Sequence, residues 1–282
     1  MIIHSISKNL FKTFVIFTLC ISTVLTPIIA QENTSTTDEK SATTLYNEGV
    51  AALREKDYKT SFMLLESAFT KAQSDNNEQV LDLAKKNIVS AAFNYGNDLL
   101  KAKNTKDAID VFQRGLSVNE SASLMYQGIG RAYEDANDAE SAAQSYIAYL
   151  DAAKSENDEK KIGDAQSRVK NLLIKQLNAK AYNRIIKIGG EYLEKDKTSE
   201  ITYLVGKAYA EKGDHSNGIK YMLESIDLST AAGEKIDDKV YYGLGLAYDG
   251  NKDSKNAIKY FSMVTDPKFK ASAQAFITKL KG

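Results

Sequence analysis

Cysteine, histidine and proline are almost missing from this chain, and each gap removes a class of function. Cys20 is the only cysteine, and His4 and His215 are the only histidines. If residues 1–30 are removed, the remainder holds no thiol and one imidazole. Disulfides, thiolate catalysis and Cys/His zinc sites are then excluded. The two prolines, Pro27 and Pro267, are accompanied by little strand-like alternation, while Ala, Lys, Leu and Tyr are plentiful. Such a composition favours helix. An excess of charge of either sign is lacking too, with 37 Lys and Arg against 37 Asp and Glu in 282 residues. Without residues 1–30, which carry only Lys8 and Lys12, the balance is 35 to 37. This gives no electrostatic case for nucleic acid or an anionic membrane.

What is present falls into three stretches. Residues 1–30 read as a signal peptide. Lys8 and Lys12 precede an apolar run from Phe14 to Leu25, and Pro27 breaks it before Ala30 and Gln31. The run is short of the roughly 20 residues a spanning helix needs. Leu19 stands before Cys20, so a lipoprotein signal does not fit. Cleavage near Gln31 leaves an exported protein, periplasmic or secreted, with no stable membrane anchor. Residues 31–41 are polar and aperiodic and read as a flexible leader. Residues 42–282 read as one repeat domain.

The repeats are clearest between Val89 and Glu156. Gly96, Leu99, Ala108 and Phe112 correspond to Gly130, Tyr133, Ala142 and Tyr146, each pair 34 residues apart. That period belongs to a helix–turn–helix unit. Leu45, Gly49, Ala52, Ser61, Leu65 and Ala68 form an earlier copy, with Asp57-Tyr58 at its turn. Gly49 and Gly96 are 47 apart, so 13 residues are inserted, and Val80 to Ala92 keep a helical period through them. After the charged segment Ser155 to Lys161 comes a degenerate copy, with Leu173, Gln176, Ile185, Gly189 and Tyr192 at the equivalent places but no first-helix glycine. Val205, Gly206, Tyr209, Gly218, Met222 and Ser225 make a fifth. Tyr241, Leu244, Gly245, Tyr248, Ala257, Phe261 and Val264 make a sixth. Pro267 opens a last helix whose apolar face, Phe269, Ala273, Phe276, Ile277 and Leu280, caps the array.

On these residues the chain resembles the tetratricopeptide repeat family over nearly all of residues 42–282. The resemblance implies an all-α, right-handed α-solenoid of six repeats, the fourth degenerate. It also implies a non-enzymatic scaffold that holds a protein or peptide partner in a concave groove lined by the first helix of each repeat. Carried over place by place, the groove residues are Tyr46, Val50, Phe93, Asn97, Gln127, Arg131, Tyr203, Lys207, Tyr242 and Leu246. Tyr46 and Val50 replace the lysine and asparagine with which one subset of the family clamps a C-terminal carboxylate. The groove aromatics suit an apolar or extended peptide, or else pack between neighbouring helices.

Other chemistry finds little footing. His215 sits in a Gly-Asp-His-Ser turn and reads as a solvated surface residue. Asp249 to Asp253 lacks the ligand alternation and terminal glutamate of a calcium loop. Gly128-Ile129-Gly130 and Gly243-Leu244-Gly245 lie inside helices and follow no strand, so they serve helix packing rather than phosphate binding. No metal, cofactor or nucleic-acid partner is expected. Two further functions remain open: a small-ligand or glycan module served by the groove tyrosines, and an envelope-assembly part using the inserted helices around Leu81 to Ile88.

Overall fold

The computed structural model describes residues 40–282, so the expected signal peptide and all but the last two residues of the expected leader lie outside it. Ser41, at the leader's end, caps the first helix by accepting from the Thr44 amide at 3.1 Å. Among the described residues the secondary structure is thirteen helices and no strand. They alternate as first and second helices of six hairpins. The first helices are α1 (Ala42–Arg54), α3 (Glu78–Lys101), α5 (Ser123–Asp135), α7 (Glu159–Asn178), α9 (Ser199–Glu211) and α11 (Asp238–Gly250). The second helices are α2 (Tyr58–Ser74), α4 (Thr105–Val118), α6 (Ala139–Ser155), α8 (Tyr182–Leu193), α10 (His215–Ala231) and α12 (Ser254–Ser262). The final helix α13 (Pro267–Lys281) takes the place of a seventh first helix. The inserted residues after the first repeat lengthen helices: α3 runs for 24 residues.

One turn device recurs. A helix ends on a residue with positive φ, and the next residue caps the following helix. Lys56 (φ 64°), Asn137 (φ 60°), Gly213 (φ 95°) and Lys252 (φ 61°) stand immediately before Asp57, Asp138, Asp214 and Asp253. Each of these aspartates accepts a hydrogen bond from the amide three residues on, at 3.0–3.1 Å. Its own amide closes the preceding helix, as Asp57 does on the Ala52 carbonyl at 2.9 Å. Both sets of orphan backbone groups are thus satisfied in two residues. At Lys56 and Lys252 a side chain occupies the left-handed region that costs an L-residue about 1–2 kcal/mol.

Within each hairpin the helices are locked by a small residue facing a large one sixteen positions later. A Cβ on Gly49, Gly96, Gly130, Gly206 or Gly245 would run into Leu65, Phe112, Tyr146, Met222 or Phe261 respectively. Phe112 is held from both sides, because a Cβ on Gly128 of the next repeat would also meet its ring. The degenerate fourth repeat reverses the sizes. Leu173 is fully buried at the glycine place, and the large place is Gly189, where the space is filled by Val205 of α9.

The core is divided. One cluster of buried side chains runs through α2 to α5, from Phe62 to Ala132. A second runs through α6 to α11, from Ala139 to Ala247. A third joins α12 and α13. First helices pack on one another from α1 to α3 to α5, and from α7 to α9 to α11 to α13. Between α5 and α7 that packing is at most marginal, and α6 meets α8 instead. The solenoid therefore changes its stacking at its middle.

Candidate functional site

The ten groove residues expected from the family pattern fall into two groups. Tyr203, Lys207, Tyr242 and Leu246 come together along a groove of about 660 Å³ between α7, α9, α11 and α13. Its apolar floor is built from Ile174, Leu177, Leu246 and Phe269, with Leu204 and Met222 beneath. Period 3.6 places these side chains on the same face of successive first helices. Lysines 170, 207, 239 and 268 rim it, one from each of α7, α9, α11 and α13.

The other six residues do not line that groove, and most of them are engaged within the chain. Arg131 donates to the Asn97 side-chain oxygen at 2.7 Å, and the Asn97 amide donates to the Phe93 carbonyl at 2.8 Å. Gln127 donates to Asp164 of α7 at 2.6 Å, bridging the place where α5 and α7 scarcely pack. Tyr46 accepts from Asn87 at 3.1 Å, and Val50 leans on the first core cluster. Asp164 also accepts from Arg168 at 2.8 Å. Burial opposes its charge, but Arg168 and Gln127 outweigh burial and hold the carboxyl below the usual range. Such a satisfied polar network ties α5 to α7 where their side chains scarcely pack.

Of the two roles left open for the groove aromatics, their burial favours packing between neighbouring helices. Tyr203 is 6% exposed and belongs to the second core cluster, its hydroxyl directed at the Lys239 carbonyl at 3.3 Å. Burial pushes its phenol well above the ordinary value. Tyr242 is half-buried under the capping helix, with ring centroids 5.4 Å from Phe269 and 5.7 Å from Phe261. Phe93 is tilted against Phe112 at 6.4 Å. The physical reason is the size of the neighbouring glycines: closely spaced helices cover the rings from the side. Tyr203 and Tyr242 shape the groove more than they project into it.

His215 also departs from expectation. It opens α10, is half-buried, and packs its ring where a Cβ on Gly250 would have to go. Its Nδ1 is buried without a hydrogen-bond partner, so nothing orients it as a base. Among the described residues no three His, Cys, Asp or Glu side chains gather as metal ligands.

The capping helix was expected only to cover the end of the array, and the family pattern gives no site residue on it. It supplies Lys268 and Phe269 to the groove. It is anchored by Asp238, whose buried carboxylate accepts from the amides of Thr265 and Asp266, the latter at 2.5 Å, and from the Thr265 hydroxyl at 3.0 Å. Burial works against the Asp238 charge, but these amides outweigh it and keep the carboxyl below its ordinary value.

Family models for the tetratricopeptide repeat match residues 93–157 and, separately, residues 199–231 and 238–262. No curated protein matches the chain in sequence. Solved structures with a similar trace include YrrB, described as a TPR protein with an unusual peptide-binding site. It is 17% identical with a TM-score of 0.38, over 69% of this chain and 89% of that one. The TPR2AB domain of yeast Sti1 in its pHSP90 complex is 12% identical with a TM-score of 0.36, over 86% and 98%. A tetratricopeptide repeat protein from Parabacteroides merdae is 12% identical with a TM-score of 0.34, over 86% and 99%. The chain is an α-solenoid that carries tetratricopeptide repeats at residues 93–157, 199–231 and 238–262.

Proposed function

We propose that this protein is an exported, non-enzymatic scaffold that holds a protein or peptide partner in the groove between its first helices. Tetratricopeptide domains bind such partners as a class. The observation that carries the reading is the groove of α7, α9, α11 and α13, where Lys207, Tyr242 and Leu246 meet over an apolar floor. An apolar cleft with a few placed polar groups is the usual form of a recognition site. The non-enzymatic part is supported by the unoriented imidazole of His215, the one histidine among the described residues. Export is supported by Lys8, Lys12 and the apolar run from Phe14 to Leu25, with Ala30 before Gln31. N-terminal sequencing of the native protein tests that part, with Gln31 as the expected first residue.

A photoreactive amino acid at position 246 tests the groove. One discrete partner should cross-link from there and none from a probe at the exposed Lys86 of α3. Equal cross-linking from both positions overturns the groove reading. A second reading, a small-ligand module, draws on the groove volume, which lies within the roughly 300–1,000 Å³ of small-molecule sites. A ligand of that size recovered with the native protein, without a protein partner, would favour it.

A further inference from the structure

Four lysines stand along the C-terminal groove, and of its two lining carboxylates, Glu200 and Glu211, only Glu200 pairs with one of them. Lys170 is taken by Glu200 at 2.9 Å. Lys239 is taken by Asp237 at 2.8 Å, from the turn before its own helix. Lys207 and Lys268 make no ion pair among the described residues, although Glu211 shares the lining with them. Lys268 lies 5.3 Å from the centre of the Phe269 ring, with its ammonium over an apolar surface. Two unpaired cations therefore face one cleft, on helices separated by α11, against a single unpaired carboxylate, Glu211. Low-dielectric walls concentrate the field of such charges in a cleft, and a ligand of opposite sign gains most there. Between the cations the floor is apolar, with Leu246 and Phe269 half-exposed, and it continues beyond Lys207 to Ile174 of α7, which is 39% exposed.

We infer that this groove takes an extended, acidic–apolar peptide segment, with Lys207 and Lys268 receiving its carboxylates and Leu246 and Phe269 its apolar side chains. The inference rests on the groove reading above and adds the partner's chemistry and the part played by the capping helix. Helix axes in contact stand about 8–10 Å apart. A chain in the polyproline conformation repeats its facing side chain every third residue, about 9 Å on. Lys207 and Lys268 stand two such steps apart, so acidic residues about six positions apart meet them, and the residues between lie on the floor. The capping helix is one wall of the site, because it alone supplies Lys268 and Phe269.

The test is fluorescence anisotropy of the purified protein with a labelled twelve-residue peptide, aspartate at every third position and leucine and alanine between. Its C-terminus is amidated, so that no terminal carboxylate contributes. The peptide should bind, and its lysine-for-aspartate counterpart should bind at least tenfold more weakly. Lys207→Glu and Lys268→Glu should each weaken binding at least tenfold, Lys207→Arg and Lys268→Arg by less than threefold, and Lys86→Glu by less than twofold. Circular dichroism confirms that each variant is folded, and Lys207→Ala replaces Lys207→Glu if the latter is not. Raising the salt to 0.5 M should weaken the interaction, since exposed charges are screened. Equal binding of the lysine peptide, or unchanged binding by both charge-reversed variants, overturns the inference. So does a free C-terminal carboxylate proving necessary, or competition by oleate alone. A native partner that cross-links at position 246 while the acidic peptide fails to bind would sink the charge inference and leave the groove reading standing.

Discussion

At the scale of single residues, the lock between glycine and a large side chain is what makes a hairpin close. Gly130 faces the buried ring of Tyr146, whose hydroxyl donates to Glu134 at 2.9 Å. Gly130→Leu improves intrinsic helix propensity by up to about 1 kcal/mol, yet it must displace that ring. Overpacking costs roughly 1–3 kcal/mol, so the variant should melt at a lower temperature. An unchanged or raised melting temperature would show that the two helices do not meet there. Tyr203 belongs to the same class of residue. Tyr203→Ser should lower stability by several kcal/mol, on the order of the 3–5 kcal/mol lost when large aromatic side chains are truncated in a core. Chemical denaturation measures this, and a loss of binding with full stability would show the ring to be a surface group after all.

At the scale of elements, the turns carry part of the pH dependence and the capping helix carries one wall of the site. The Asp57, Asp138 and Asp214 carboxyls are held below 3.8 first by the side chains and then by the amides of Thr60, Ser141 and Asn217. At Asp253 the Asn256 amide comes first and its side chain second. A depressed folded-state value means the contribution is complete above the unfolded pKa, near 3.9, and is lost as pH falls through the folded value. Asparagine caps about as well as aspartate and does not titrate there. The variant with Asn at all four positions should therefore match the parent at pH 7 and lose less stability between pH 5 and pH 2; equal losses would place the acid sensitivity elsewhere. Asp238→Ala strands the Thr265 and Asp266 amides at a cost of roughly 1–3 kcal/mol. Hydrogen exchange should quicken in α13 and stay unchanged in α1 to α4, and a uniform change would disprove the anchoring role. Much of this layer was legible beforehand. The 34-residue spacing from Gly96 to Gly130 marked both as equivalent helix-contact places, and Pro267 marked the start of α13. The rest depended on three-dimensional neighbours. No period announces that Asn97 and Arg131 would bond to each other, or that Val205 would fill the space at Gly189. Lysine in the left-handed turn positions hides a signal that glycine would have displayed. Lys268 and Phe269 fall outside the repeat pattern, so their place in the groove could not be read from it.

At the scale of the whole molecule, the two large core clusters meet inside the α5–α6 hairpin, locked through Gly130 and Tyr146, while the polar bridge of Gln127, Asp164 and Arg168 spans the neighbouring gap between α5 and α7. Second helices bind their successors by surface ion pairs on both sides of it, Glu66 with Arg114 and Glu140 with Lys187. Such pairs add little to stability, so cooperativity should follow the cores. Gln127→Ala together with Arg168→Ala should lower the midpoint of a denaturant transition that stays single, because the Gly130–Tyr146 lock still joins the two clusters. A split into two transitions would mean that the bridge, and not the hairpin, couples them. The neighbour-to-neighbour packing has one more consequence, for the order of events in time. Every helix finds its partners within the next hairpin or two, so little chain entropy is spent before a contact is rewarded. Folding can begin in either cluster and spread outward, and the α2–α5 half holds all of its partners before α8 has been synthesised.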